Sequence, residues 1–372
     1  MRLFNRVAIF MIIYLALLNY IIPFAIPDRI VYNYRINFDI VKNDISNIDA
    51  ALEHVKRTIE KEKIKSYVII LGDSVAYGSP GPAHGSIGYY LNKLSYEDDK
   101  DICFFNLAIP AMQTGDVYTM LLKLWDYDIS TDNLIINIWY SNFVKRTYGH
   151  PVATWLSEEL RKMDYEAYER VENNLICERI SLNQQKHGKA VYKDRAFAVE
   201  IKNKVQEHFN MLKYKDYLRG GAHQIYEALR GRIPEMQAVQ PWYEKAWLVS
   251  YMKREEIQWY MNDEPFRMDT HNEDIFFWER ILKLQENKNT LVFLAAINEK
   301  LLPRETSRQG YKENLKRITD YFSCKDIDFI DFNGKTDYGL FSDHVHLTPK
   351  GYRYIAGVLW ERVKNWKMNI KS

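Results

Sequence analysis

Residues 67–78 read YVIILGDSVAYG, and the rest of the chain is organised around this stretch. Val68 to Leu71 form a short, unbroken apolar run, which is typical of a buried strand. Gly72 can adopt backbone angles that other residues resist, so the chain can turn sharply after the run. The turn would present Ser74 at the carboxyl end of the strand, where open α/β sheets bind ligands. On its own, a Gly-Asp-Ser turn is also typical of an ordinary strand-to-helix connection with a capping residue.

Four further apolar runs resemble the first one in length and composition, and they occupy residues 102–107, 134–139, 291–296 and 327–332. Helix-compatible segments follow the runs, and Gly- and Pro-rich stretches mark the loops. The alternation of strand, loop and helix predicts an α/β fold with a parallel sheet and helices on both faces.

The composition excludes several classes of function. The 372 residues carry 51 basic and 49 acidic side chains, for a formal net charge of +2. This balance gives no support to nucleic-acid binding. The 3 cysteines and 9 histidines show no metal-ligand spacing. We therefore expect neither a metal nor a cofactor.

The N-terminus predicts a membrane anchor over residues 1–27. The stretch from Val7 to Ile26 contains no charged residue and is long enough for a membrane-spanning helix. Arg2 and Arg6 precede it. The positive-inside rule then predicts a single-pass protein of the cell membrane with an extracytoplasmic catalytic domain. A cleaved signal peptide is the alternative, but no clear small-residue cleavage site precedes Asp28.

A change of pattern divides the remainder of the chain. Residues 28–142 and 288–372 contain the strand-like runs, and we assign both to one α/β domain. Residues 143–287 are charged and aromatic and lack such runs, which predicts a mostly helical insertion. Four tryptophans of this segment could line a cleft, although packing inside the insertion is the simpler role; they are Trp242, Trp247, Trp259 and Trp278.

Two residues near the C-terminus could activate the serine. A hydroxyl is a poor nucleophile until a base takes its proton. Asp343 and His346 lie three residues apart just before a predicted helix. This spacing lets the Asp343 carboxylate reach one ring nitrogen of His346 and leaves the other nitrogen for Ser74. His344 is the alternative base.

Oxyanion donors are also expected at the same edge of the sheet. Asn142 follows the third strand, so its side-chain amide could donate to a developing oxyanion. The backbone N–H groups of Ser74 and Ala111 could supply further donors. In a parallel sheet all of these loops lie at the carboxyl ends of the strands.

At these residues the chain resembles the SGNH hydrolase superfamily, also called the GDSL-like esterases, in four blocks: residues 72–75, 106–111, 134–142 and 343–352. The last block, Asp-x-x-His-Leu-Thr followed by Gly-Tyr, is the most specific. The resemblance covers roughly residues 65–142 and 288–366. It implies a flavodoxin-like three-layer α/β/α fold, a triad of Ser74, His346 and Asp343, and no metal.

Two blocks depart from the family pattern. Ala111 stands where the family usually has an oxyanion-binding glycine, and Gly115 is the alternative match. The third block usually reads Gly-x-Asn-Asp, whereas residues 140–143 read YSNF. Asn142 is kept, but its neighbours predict a remodelled cleft.

The resemblance implies a serine esterase that removes acyl groups. The predicted anchored position outside the membrane indicates a cell-surface glycan or a lipid-linked substrate, with acetyl as the expected acyl group. An O-acyltransferase with the same triad is the alternative, because water and a sugar hydroxyl attack the same acyl-enzyme. Such a transferase would act beside a multispanning membrane O-acyltransferase. A non-catalytic surface module that kept the fold is the third possibility.

Overall fold

The computed structural model describes residues 2–146, 151–172, 209–230 and 238–367. The chain divides into two compact units, one of residues 1–62 with 183–235 and one of residues 63–182 with 236–372. These boundaries run differently from the three predicted segments, since the second unit includes part of the predicted insertion. Residues 147–150, 173–208 and 231–237 of that insertion lie outside the described residues.

A five-stranded parallel sheet forms the centre of the second unit. Its strands are Tyr67–Leu71 (β1), Cys103–Asn106 (β2), Asn133–Ile138 (β3), Asn289–Leu294 (β4) and Asp328–Asp331 (β5). They are ordered β2-β1-β3-β4-β5, and every neighbouring pair is parallel. The prediction of an α/β fold with a parallel sheet is confirmed. The strand order is that of flavodoxin-like sheets.

Helices connect and cover these strands. The α-helices of this unit include Ser74–Tyr77, Ile87–Glu97, Thr114–Asp126, Ser157–Met163, Leu248–Tyr251, Glu255–Tyr260, Glu273–Leu284, Pro303–Thr306, Gln309–Ser323 and Pro349–Val363. Short 3₁₀ turns lie at Ala83–Gly85, Tyr140–Phe143, Trp242–Glu244 and Tyr338–Leu340. In the described part of residues 143–287, all regular structure is helical.

The helices lie on both faces of the sheet. The chain moves one way from β1 to β2 and the opposite way from β2 to β3. Because parallel crossovers are right-handed, the helices Ile87–Glu97 and Thr114–Asp126 fall on opposite faces. The first packs against Pro349–Val363 and the second against Glu273–Leu284.

The change of direction creates a crevice at the carboxyl ends of β1 and β3, where such sheets bind ligands. Ser74 follows β1, and Trp139 follows β3. The topology therefore brings the Ser74 turn to the position expected of a ligand site.

The predicted membrane anchor is wrong. Residues Arg2–Ala25 do form a helix, but among the described residues no helix combines the length and the apolarity needed to cross a membrane. The C-terminal part of this helix contacts polypeptide of its own unit. The Asn210 side chain donates to the Asn19 carbonyl oxygen at 3.0 Å, and the Arg57 guanidinium lies 5.2 Å from the Phe24 ring centre. The prediction of a single-pass cell-membrane protein is therefore wrong as well, and the predicted extracytoplasmic placement, which depended on this anchor, loses its basis.

The first unit is helical in its described part. Besides Arg2–Ala25, its α-helices are Asp28–Val31, Phe38–Val41, Ile48–Lys61, Asn210–Lys213 and Lys215–Leu229. Ile48, Leu52 and Val55 are fully buried, as the three- and four-residue spacing of apolar side chains along Ile48–Lys61 requires. The Tyr217 hydroxyl donates to the Asn47 carbonyl oxygen and joins the two sequence segments of the unit.

Candidate active site

Ser74 is the first residue of a short helix, Ser74–Tyr77, which Gly72 and Asp73 connect to the end of β1. Asp73 caps this helix, and its carboxylate accepts a hydrogen bond from the Val75 N–H at 2.8 Å. Asn137, a buried residue of β3, holds the turn from the side. Its side-chain oxygen accepts from the Asp73 N–H at 2.9 Å and the Ala76 N–H at 3.2 Å, and its amino group donates to Asp73 at 3.0 Å.

Gly72 is required by this arrangement. Its φ is 137°, outside the range that side chains tolerate, and a Cβ atom there would overlap the Asn137 carboxamide. The role of Asn137 was missed in the sequence, although one polar residue within the apolar run of residues 134–139 was a usable signal. A buried amide in a strand needs hydrogen-bond partners, and here the Ser74 turn provides them.

The structure brings Ser74, His346 and Asp343 together in one hydrogen-bonded chain. The Ser74 hydroxyl oxygen lies 2.7 Å from His346 Nε2, and His346 Nδ1 lies 2.8 Å from Asp343 Oδ2. The other carboxylate oxygen of Asp343 accepts from the Val345 N–H at 3.0 Å and the His346 N–H at 2.8 Å. This geometry allows His346 to take the serine proton while Asp343 orients the ring.

The pKa shifts of His346 and Asp343 support their assignment as base and orienting carboxylate. Burial lowers the pKa of His346, but the charge and the hydrogen bond of Asp343 outweigh burial and leave this pKa above its usual value. Burial raises the pKa of Asp343, but the neighbouring His346 outweighs it and leaves this pKa below the ordinary range. Asp343 is therefore ionised at neutral pH, as a residue that stabilises an imidazolium must be.

His344, the alternative base, does not reach Ser74 in this way. Its Nδ1 lies 3.5 Å from the Asp343 carboxylate and is buried without a hydrogen-bond partner among the described residues. Its ring packs edge-on to Trp139, with 6.3 Å between the ring centres. Burial lowers the pKa of His344 to about 4, against the opposing charge of Asp343. The ring is therefore neutral at neutral pH.

Residues from other parts of the chain hold the loop that carries His346 by hydrogen bonds. The Asn298 side chain donates to the Asp343 carbonyl oxygen at 3.1 Å, and the Asn298 N–H donates to the His344 carbonyl oxygen at 2.8 Å. The Lys245 ammonium donates to the Ser342 carbonyl oxygen at 2.8 Å. These contacts hold the loop at the end of the sheet.

The predicted oxyanion donors differ in their placement. The N–H groups of Ser74 and Ala111 have no acceptor among the described residues, and both residues line the same cleft. Asn142 is buried, and its side-chain oxygen accepts from the Trp139 N–H at 2.9 Å. Its amino group donates to no described residue, but Asn142 is not among the residues that line the cleft. The oxyanion role of Asn142 stays a prediction.

Gly115, the alternative to Ala111, has a different environment. Its N–H donates to the Val152 carbonyl oxygen at 2.8 Å. A Cβ atom on Gly115 would approach that oxygen to 2.8 Å, so the glycine allows the segment around Val152 to pack against the helix Thr114–Asp126. The Gly115 N–H is therefore already hydrogen-bonded and is not available to donate to an oxyanion.

The cleft around Ser74 has a volume of about 300 Å³ and one strongly aromatic side. Trp139, Trp259 and Tyr260 all line it, and the Trp139 and Tyr260 ring centres lie 5.3 Å apart. Ser74 and His346 line the cleft as well, and the remaining lining residues are Asp73, Val75, Ala111, Gln113, Ser141, Arg146, Pro151, Thr154, His344 and Val345.

The four tryptophans named from the sequence have different positions, and Trp155, which was not named, lies close to the cleft. Trp278 is buried in the core, and Trp247 is largely exposed. Trp259 lines the cleft, whereas Trp155 donates its indole N–H to the Pro110 carbonyl oxygen at 2.9 Å beside it. The indole N–H of Trp242 donates to the Tyr338 carbonyl oxygen. Only the tertiary structure separates these roles.

Within the described ranges, no group of three or more His, Cys, Asp or Glu side chains could hold a metal ion.

Comparison with known proteins adds little to this geometry. No protein-family model matches the chain, and no curated protein matches it. Among solved structures, the chain is similar to the crystal structure of the lipase Lip_vut3 from a goat rumen metagenome. The two are 12% identical, the match covers 80% of this chain and 97% of the lipase, and the TM-score is 0.32. At that score the likeness supports no conclusion about function.

Proposed function

We propose that the protein is a serine esterase of the SGNH type that hydrolyses short acyl esters. The observation that carries this proposal is the hydrogen-bonded chain from Ser74 through His346 to Asp343. A chain of this geometry is the arrangement that turns a hydroxyl into a nucleophile.

The reaction has two halves. The Ser74 oxygen attacks the ester carbonyl carbon while His346 Nε2 takes the hydroxyl proton. The N–H groups of Ser74 and Ala111 then donate to the oxyanion. When the carbon–oxygen bond to the alcohol breaks, His346 returns the proton to the leaving alcohol. Water then attacks the acyl carbon while His346 takes its proton. The bond between the Ser74 oxygen and the acyl carbon breaks, His346 returns the proton to Ser74, and the acid is released.

We propose carbohydrate esters, with acetyl as the acyl group, as the substrate class. The cleft volume of about 300 Å³ is small for a ligand pocket, which favours a short acyl chain. The aromatic side formed by Trp139, Trp259 and Tyr260 offers flat apolar faces for packing a sugar ring. Ser141 and His344 also line the cleft, and their polar groups can hydrogen-bond to sugar hydroxyls.

The decisive experiment is labelling with a fluorophosphonate probe together with turnover of a chromogenic acetyl ester. The wild type should label and turn over, Ser74→Ala should do neither, and His346→Ala should label far more slowly. Ser141→Ala removes the second serine of the cleft lining and should still label. Turnover by Ser74→Ala that equals the wild type would eliminate the esterase proposal.

The substrate class has its own test. Initial rates should be compared for an acetylated oligosaccharide and for a long-chain acyl ester of the same alcohol. A faster rate with the long chain would contradict the assignment of acetyl as the acyl group. When an acetylated donor and a free oligosaccharide are both present, hydrolysis should release free acetate. Acetyl groups found on the oligosaccharide would show that the enzyme is an acetyltransferase and not an esterase.

A further inference from the structure

One turn beside Ser74 has a backbone conformation that alanine disfavours. The Met112 N–H donates to the Ile109 carbonyl oxygen at 2.9 Å, which closes a four-residue turn. Pro110 occupies its second position, and Ala111, with φ at 64°, occupies its third. Proline followed by a residue with positive φ is typical of a type II turn, whose third position usually holds glycine.

A type I turn would suit the same sequence without this strain. The two types differ mainly by a flip of the central peptide plane, and in type I the third residue has a negative φ that alanine adopts readily. In the present turn the central plane contains the Pro110 carbonyl group and the Ala111 N–H. A flip to type I would therefore reverse the direction of the Ala111 N–H, which the proposed mechanism requires as an oxyanion donor.

Trp155 holds this plane in its present orientation. Its indole N–H donates to the Pro110 carbonyl oxygen at 2.9 Å, so a flip would break that hydrogen bond. The neighbouring carbonyl group, that of Ala111, accepts from the Gln113 side chain at 3.0 Å. Both carbonyl groups that flank the Ala111 α-carbon are thus held by side chains.

The backbone that carries the indole is held by a buried carboxylate. The Trp155 backbone N–H donates to Asp116 at 2.9 Å, and the same carboxylate accepts from the N–H groups of Thr154, Leu156 and Gln113. Asp116 is fully buried in the helix Thr114–Asp126. It therefore joins the segment that carries Trp155 to the end of the turn that Trp155 holds.

We infer that Trp155 is a positioning residue for the oxyanion hole: its indole N–H holds the Pro110–Ala111 peptide so that the Ala111 N–H faces the reacting carbonyl oxygen. This inference rests on the proposed function. It assigns to an aromatic residue of the predicted insertion a role that does not involve contact with the substrate.

The test is Trp155→Phe, which removes the indole N–H and keeps an aromatic ring. We expect kcat for the chromogenic acetyl ester to fall about 10- to 100-fold, somewhat less than the loss of a whole oxyanion donor, with KM nearly unchanged. Rates are normalised to the folded fraction, measured by near-ultraviolet circular dichroism.

Rescue distinguishes positioning from general damage. Ala111→Gly removes the conformational penalty at positive φ, so the turn no longer needs the indole to hold its type II form. The double variant Trp155→Phe, Ala111→Gly should regain most of the lost kcat. Trp360→Phe is the matched control, because it loses an indole hydrogen bond of 2.7 Å to Asp98 away from the cleft lining; its kcat should equal that of the wild type.

An unchanged kcat in Trp155→Phe, or a loss that Ala111→Gly does not restore, would overturn the inference. Either result leaves the esterase proposal intact, provided that Ser74→Ala is inactive. Activity in Ser74→Ala would instead remove the proposed function, whatever Trp155→Phe does. The two failures are therefore distinguishable.

Discussion

His346 determines how the activity should depend on pH. It must be neutral to accept the serine proton, and its pKa lies above the usual value because Asp343 outweighs the effect of burial. Activity should therefore fall as the pH decreases through that raised pKa.

Asp343→Asn gives the corresponding prediction. The substitution removes the negative charge, so burial then dominates and the pKa of His346 drops. The acidic limb of the pH–rate profile should move to lower pH, while the plateau kcat falls by roughly 10²- to 10⁴-fold because the ring loses its orienting charge. A pH–rate profile of the chromogenic ester measures both effects. An acidic limb that stays in place would show that another group titrates.

His344 should make folding stability sensitive to acid. Its pKa in the folded protein is lowered to about 4 by burial, whereas the unfolded chain titrates near the ordinary value of 6.5. The unfolded state then binds more protons between these values, so stability is lost as the pH falls through this window. Between about pH 7.5 and about pH 4.5, the unfolding free energy should fall by roughly 2–3 kcal/mol more in the wild type than in His344→Gln. Urea unfolding at both pH values provides the measurement, and equal losses in the two proteins would contradict it.

At the scale of elements, Asn137 connects β3 to the turn that follows β1. Asn137→Ala removes three hydrogen bonds and leaves the N–H groups of Asp73 and Ala76 buried without an acceptor. We expect a destabilisation of about 2–4 kcal/mol together with a clear loss of kcat, because the serine turn loses its support.

Asn92 is the matched control for this element. Its side chain also makes three hydrogen bonds, to the carbonyl groups of Gly88 and Phe104 and from the Phe104 N–H, but it does not line the cleft. Asn92→Ala should therefore destabilise the protein and keep the kcat of the folded enzyme. Equal kcat losses in the two variants would show that Asn137 has no special connection to Ser74.

At the scale of the whole molecule, a buried ion pair joins distant parts of the sheet unit. Arg146 and Asp274 form two hydrogen bonds of 2.7 and 2.8 Å, and their side chains are 6% and 0% exposed. Breaking a buried pair leaves an uncompensated charge, so Asp274→Ala should cost about 3–5 kcal/mol of unfolding free energy.

A double variant distinguishes the loss of the ion pair from the cost of leaving an unpaired charge buried. Arg146→Met with Asp274→Leu should be more stable than Asp274→Ala, because no charge stays buried. Lys316 and Asp320, an exposed pair on the helix Gln309–Ser323, supply the control; Asp320→Ala should cost less than about 1 kcal/mol. Urea unfolding curves of the four proteins, wild type included, test the prediction. A comparable loss for Asp274→Ala and Asp320→Ala would contradict it.

The linear order of apolar runs was enough to predict the five parallel strands, because a buried parallel strand needs a continuous apolar run that local sequence displays. The pairing of Ser74 with the Asp343–His346 segment could be predicted for a related reason: in a parallel sheet the loops after the strands meet at one edge. Burial and partner geometry, which depend on the assembled core, could not be predicted. Partner geometry is what makes His346 and not His344 the base for Ser74, and it is also what directs the Gly115 N–H to the Val152 carbonyl oxygen.

The order of residues alone determined the sheet, the turn at Gly72 and the candidate triad, since these follow from hydrophobic periodicity and local spacing. Tertiary structure alone decided two other matters: that Asn137 supports the serine turn, and that the Trp155 indole N–H holds the peptide of Ala111. The physical reason is the same each time. A hydrogen bond or a packing contact between residues far apart in the chain exists only after folding has placed both groups, and no local pattern encodes it.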